Sequence, residues 1–167
     1  MNLLLSCVLL LISACASTPD EGRVRREIQA EYDKLGAAYN RADIDAILSF
    51  RLPNFETIPP SGEYQHMDAA QMRQYTQDWF NLNKPPIEVK FTVESLEMRS
   101  QDEVAVKVLQ WASRYQDREG KRVHVEHEVR QRETWQRTPT GWKLRMVDQI
   151  DIPNRKRWID GMLEGKQ

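Results

Sequence analysis

The stretch Arg132-Glu133-Thr134-Trp135-Gln136-Arg137-Thr138-Pro139-Thr140-Gly141-Trp142-Lys143-Leu144 reads as two strands joined by a turn. Pro139 presets a corner and Gly141 accepts a backbone that side chains disfavour, so Thr138 to Gly141 is the loop. Pairing Arg137 with Trp142 sets Trp135 opposite Leu144, and Trp142, Leu144 and Met146 alternate with Lys143 and Arg145. Period-two alternation of this kind marks a half-buried antiparallel strand.

The same period extends upstream. Ile87, Val89, Phe91 and Val93 alternate with Glu88, Lys90, Thr92 and Glu94. Val104, Val106 and Val108 follow, then Val123, Val125 and Val129 between His124, Glu126, Glu128 and Arg130. A loop over Asp117-Arg118-Glu119-Gly120, with Gln116 paired to Lys121, sets Val108 opposite Val129 and Val106 opposite Gln131. Continued through the second hairpin, this register sets Val129 opposite Ile150. Both hairpins then place their apolar residues on one face, which a one-residue slip without a bulge would undo.

That register also puts Gln110, Arg114, His127, Gln131, Glu133 and Asp148 on the apolar face. Gln110 falls opposite His127, and Gln131 opposite Asp148. Polar groups there need partners or a cavity. Either they satisfy one another at the open end of the sheet, or they line a ligand site. On the outer face, Leu109, Trp111 and Tyr115 are large for a solvated surface, so a last helix from Arg155 to Glu164 or a second subunit is expected to cover them.

Helices precede the meander. Val24, Ile28, Tyr32, Leu35 and Tyr39 recur at three- and four-residue steps, giving an amphipathic helix from Arg23 to Arg41. Asp43 caps a short helix from Ile44 to Phe50, and Asp68 caps a third reaching Asn83. Pro59-Pro60-Ser61-Gly62 turns between two short extended pieces. The order predicts an α+β domain.

Composition narrows the function. The chain has 167 residues, 40% hydrophobic and 29% charged, which suits one globular domain. Its 24 basic and 25 acidic residues leave a net charge of −1, so no cationic field for nucleic acid exists. The only cysteines, Cys7 and Cys15, both lie near the amino terminus, which leaves no thiol nucleophile, redox pair or thiolate metal site in the domain. His124 and His127 stand near Glu126 and Glu128, but three residues apart on a strand they face opposite ways, so no metal site is expected. No phosphate loop and no nucleophile-elbow serine is present, and no cofactor is expected.

The amino terminus reads as an address. Residues 1–14 carry no charged side chain, and the apolar run from Leu3 to Ile12 is too short to span a bilayer. Ile12-Ser13-Ala14-Cys15 resembles the bacterial lipoprotein box. The resemblance implies a signal peptide over 1–14, acylation (palmitate included) of Cys15, a tether over 15–22 and a domain over 23–167. It also implies a lipid-anchored protein of the bacterial cell envelope facing the periplasm, with the outer membrane favoured by Ala16.

The element order, together with the Arg132 to Leu144 string, resembles the nuclear transport factor 2-like superfamily, which includes SnoaL-like cyclases, ketosteroid isomerase and scytalone dehydratase. Tyr39 to Phe50 resembles its first two helices and Phe55 to Gly62 its Pro-Gly turn. The resemblance implies a curved antiparallel sheet wrapped around three amino-terminal helices, a cone-shaped, cystatin-like roll with a cavity, often dimerising through the outer sheet face. Catalytic members place carboxylates, tyrosines or histidines in that cavity. Relatives often carry an Asp where this chain has Asn54, and Tyr32-Asp33 is similar to a pair in scytalone dehydratase.

Two readings follow. The first is a binding or accessory domain whose cavity holds a small apolar ligand. The alternative is an isomerase or dehydratase with Asp148 as general base, its pKa raised by the cavity, and His127 or Tyr39 donating to the developing oxyanion.

Overall fold

Helix α1 (Glu21–Asn40) forms along the expected stripe, with Val24, Ile28, Tyr32 and Leu35 all buried. Asp20 caps it by accepting from the Gly22 amide. Asp43 caps α2 (Ile44–Ser49), and Asp68 caps α3 (Ala69–Leu82) in a reciprocal capping box with Gln71. The computed structural model describes residues 20–58, 65–159 and 162–163. The expected signal segment, Cys15 and the expected turn at Pro59-Pro60-Ser61-Gly62 lie outside the described residues. Among those described, no helix is long and apolar enough to cross a membrane.

The strands are β1 (Arg51–Ile58), β2 (Gln65–His66), β3 (Lys84–Met98), β4 (Glu103–Arg118), β5 (Lys121–Thr138), β6 (Gly141–Ile159) and β7 (Met162–Leu163). They form one curved, unclosed sheet in the order β2-β1-β6-β5-β4-β3, with β7 on β6. All pairs are antiparallel except β1 with β6.

Helix α1 lies against the edge strand β3 and closes it. Gln29 donates to the Phe91 carbonyl and accepts from the Val93 amide, and Asn40 accepts from the Val89 amide at 2.7 Å. These side chains occupy backbone groups that an edge strand would otherwise offer to another chain. The approach is close enough that a Cβ on Gly36 would meet the Val89 carbonyl oxygen at 2.9 Å.

Both hairpins exist, with two corrections. The first turn is tighter than expected. Arg118 pairs with Lys121 around Glu119 and Gly120, both at positive φ (52° and 77°). That two-residue turn suits the twist of the flanking strands. The β4–β5 register therefore moves by two residues, so Val108 faces Gln131 and Gln110 faces Val129 instead of His127. A shift of two keeps every side chain on its face.

The second hairpin starts as read, with Arg137 opposite Trp142 and Trp135 opposite Leu144. A bulge then adds a residue to β6, so Thr134 faces Met146, Arg132 faces Asp148 and Gln131 faces Gln149. This one-residue shift exchanges the faces of β6 from Met146 to Gln149, and the register shifts again on either side of Arg130. Asp148 leaves the inner face, and Val147 and Gln149 replace it.

The expected helix from Arg155 to Glu164 is not formed over its described part. Strand β6 runs on to Ile159 and pairs Val125 with Arg157 and His124 with Trp158. The long β5 needs partners for its backbone groups as far as Val123, and β6 supplies them. Trp158 meets the Tyr115 end of the outer face from a strand. It stacks on His124 at 4.8 Å, and His124 in turn meets Tyr115 at 5.0 Å.

Candidate functional site

Between the concave face of the sheet and the helices lies a cavity of about 130 Å³. That is close to the size that accepts a single benzene ring and below the range of drug-sized pockets. Its walls are largely aromatic and aliphatic (Tyr39, Phe50, Phe55, Trp79, Phe91, Leu144), and five polar side chains enter from β4, β5 and β6: Gln110, His127, Gln131, Glu133 and Gln149. Arg51, Thr57 and Thr76 complete the polar lining.

Glu133 is the deepest ionisable group, 2% exposed. Tyr32 donates to its Oε2 at 2.7 Å, and Trp135 Nε1 donates to the same oxygen at 3.1 Å and to the Tyr32 hydroxyl at 2.9 Å. Tyr32 and Trp135 are themselves fully buried and meet edge to face at 5.0 Å. Both donors converge on one oxygen, and Glu133 also lines the cavity. Burial pushes the Glu133 carboxyl up to about 7, against the two hydrogen bonds and the charge of Arg51, which favour the ionised form. Tyr32 is held well above the usual tyrosine range, first by burial and then by the neighbouring carboxylate.

Tyr39 belongs to this end of the cavity. Arg51 Nη2 points at its hydroxyl from 3.5 Å, a long contact, and Arg51 Nη1 donates to Thr76 at 3.3 Å. Burial raises the Tyr39 pKa, so the hydroxyl keeps its proton and can donate it to a hydrogen bond.

His127 lies six residues from Glu133 on β5, about 20 Å along an extended strand, at the other end of the cavity wall. Arg114 Nη1 contacts His127 Nδ1. A guanidinium has no acceptor, so Nδ1 must accept, and the imidazole is neutral with its proton on Nε2. Burial lowers the His127 pKa to about 4, and the charges of Arg114 and Arg155 add to that. Arg114 also donates from Nε to Asn83 Oδ1 and lies 5.8 Å over the Trp79 ring.

Seven of the eight residues singled out from sequence therefore gather at the cavity or directly behind it. Gln110, Gln131, Glu133, His127 and Tyr39 line it, Tyr32 binds Glu133, and Arg114 binds His127. Asp148 does not join them. Its carboxylate stands 3.6 Å from Arg132 and is part-exposed, a consequence of the β6 bulge. His127 and the Glu133 end are too far apart to act on one small molecule. The Tyr32-Asp33 resemblance is divided, because Asp33 is exposed and accepts from Gln29. Among the described residues, no three His, Cys, Asp or Glu side chains come together as metal ligands.

Sequence reading missed Arg51, Asn83 and Gln149. Arg51 sits just past α2, where nothing local distinguishes it from a surface arginine. Asn83 receives Arg114 and Gln116 from over 30 residues away. Gln149 was hidden by the bulge.

No protein-family profile matches the sequence, and no curated protein matches it. Solved structures do. A candidate scytalone dehydratase from Novosphingobium aromaticivorans superposes with a TM-score of 0.67 at 8% identity, over 87% of this chain and 95% of that one. A ketosteroid isomerase-like protein from Erwinia carotovora atroseptica gives 0.60 at 16%, over 75% and 95%. A nuclear transport factor 2-like protein of unknown function from Shewanella oneidensis gives 0.58 at 16%, over 77% and 99%. The domain has the nuclear transport factor 2-like fold, and at these identities the likeness establishes the fold alone.

Proposed function

We propose that this domain is a proton-transfer enzyme of the isomerase or dehydratase type, with Glu133 in place of Asp148 as general base. The observation that carries this reading is a carboxyl on the cavity wall, 2% exposed, with a pKa near 7 and both protein donors on one oxygen. A base is most effective when its pKa lies near the working pH. Tyr32 and Trp135 hold Oε2, which leaves Oε1 for a carbon acid in the cavity. The C–H bond breaks as the Oε1–H bond forms, and the electron pair moves onto the substrate carbonyl oxygen. Tyr39, beside the positive Arg51, is the donor for that oxygen. Glu133 then returns its proton to another carbon, which completes an isomerisation, or gives it to a β-hydroxyl, which leaves as water as the electron pair returns from the oxygen to form the C=C bond. The likeness to isomerase-like and dehydratase-like structures supports this class, and the size of the cavity limits the substrate to about one ring.

The test is exchange of the α-hydrogens of 2-cyclohexenone in D2O, followed by proton NMR. Exchange is expected to rise through pH 7 and to fall at least about a hundredfold in Glu133→Gln, within the usual contribution of a positioned base. Equal exchange in the variant, or none above buffer in the parent, overturns the assignment.

The site would work at a membrane. The Ile12-Ser13-Ala14-Cys15 string supports a lipid anchor on Cys15 and a place in the bacterial cell envelope, facing the periplasm. Mass spectrometry of the protein from its native host should find acyl chains on Cys15, and an unmodified Cys15 contradicts the anchor.

A further inference from the structure

Behind the His127 end of the cavity lies a cation, Arg114, with no counterion among the described residues. Arg114 is 7% exposed, yet among the described residues no carboxylate pairs with it. Its partners among the described residues are the Asn83 side-chain oxygen, His127 Nδ1 and the face of Trp79. Asn83 is shared, since Gln116 Nε2 also donates to its Oδ1 at 2.9 Å, and Asn83 Nδ2 is committed to the Trp79 carbonyl at 2.6 Å. Two of the five guanidinium donors are thus used. Burying an unpaired charge costs several kcal/mol, so such a group generally has a partner of opposite sign.

The charged neighbour has the same sign. Arg155 stands opposite His127 across β5 and β6, and its positive charge reaches both His127 and Arg114. His127 spends Nδ1 on Arg114, which leaves Nε2–H, a donor, for a ligand in the cavity it lines. Gln131, 6% exposed on the same wall, makes no side-chain hydrogen bond among the described residues. The Glu133 carboxyl, the acidic member of the lining, is six residues away along β5.

We propose that the His127–Arg114 end of the cavity is an anion subsite that takes the carboxylate of a small organic acid, its hydrocarbon body lying between Trp79 and the β5 wall. A carboxylate has the lone pairs for His127 Nε2–H and supplies the charge that Arg114 lacks, and charge-assisted bonds of this kind are the strong ones. The subsite goes beyond the proton-transfer reading, since it lies at the other end of the cavity wall and its binding does not depend on Glu133.

The probe is benzoate, with benzyl alcohol as the neutral analogue of similar shape, measured by isothermal titration at pH 8 on the full chain. Benzoate should bind at least about tenfold more tightly than benzyl alcohol, and Arg114→Met should remove that preference. His127→Phe keeps the ring and loses the Nε2 donor, so it should weaken benzoate by a similar factor even if Arg114→Met fails to fold. Glu133→Gln, which should abolish exchange, should leave benzoate binding intact. This separates failure of the subsite from failure of the catalytic assignment. Equal affinity for the two probes, no benzoate binding, or benzoate binding indifferent to both substitutions overturns the subsite.

Discussion

At the scale of single residues, two titrating groups on one strand are shifted in opposite directions by the same cause. Burial raises Glu133 from 4.5 to about 7 and lowers His127 from 6.5 to about 4, because it disfavours the charged form of each. Their effects on stability have opposite signs. Between about pH 4.5 and 7, folded Glu133 keeps a proton that the unfolded chain has lost, so its contribution falls as pH rises. Between about pH 4 and 6.5, the unfolded chain holds a proton on His127 that the folded state refuses, so that contribution grows as pH rises. In the parent the two largely offset. Glu133→Gln keeps an acceptor for Tyr32 and Trp135 and removes the falling part. Its unfolding free energy in urea should therefore climb by up to about 3 kcal/mol between pH 4 and 6.5 while the parent stays flatter. A variant profile parallel to the parent's would mean that Glu133 titrates as an ordinary carboxyl.

At the scale of elements, what was legible was what depends on local chemistry and period. The caps Asp43 and Asp68 and the buried stripe of α1 follow from short-range rules. So does the face of Gln110, Arg114, His127, Gln131 and Glu133, which survived a wrong turn because the error was two residues and side chains alternate every two. Asp148 was lost because a bulge costs one residue and reverses the face. Nothing in Lys143-Leu144-Arg145-Met146 announces that extra residue. The last helix failed for a related reason. Trp158, Ile159, Met162 and Leu163 have helical spacing, but the unpaired backbone of β5 made a stronger demand on the chain than local pattern did.

At the scale of the whole molecule, the sheet and helices act as a clamp around one buried carboxyl. Helix α1 supplies Tyr32 and closes the β3 edge, β5 supplies Glu133 and Trp135, and the α2–β1 junction brings Arg51 beside Tyr39. The dry environment that makes the core stable is the same one that brings Glu133 near neutrality, so packing and chemistry rest on the same residues. Arg114 and His127 form a second, positively biased station on the same wall. The most direct test of this account is a carbon-13 NMR titration of the Glu133 side-chain carboxyl in residues 20–167, assigned by comparison with Glu133→Gln. The account predicts a midpoint near 7, well separated from the exposed glutamates. A midpoint near 4.5 would contradict it, because a carboxyl that ionises like one in water is neither buried as described nor poised to move a proton at neutral pH.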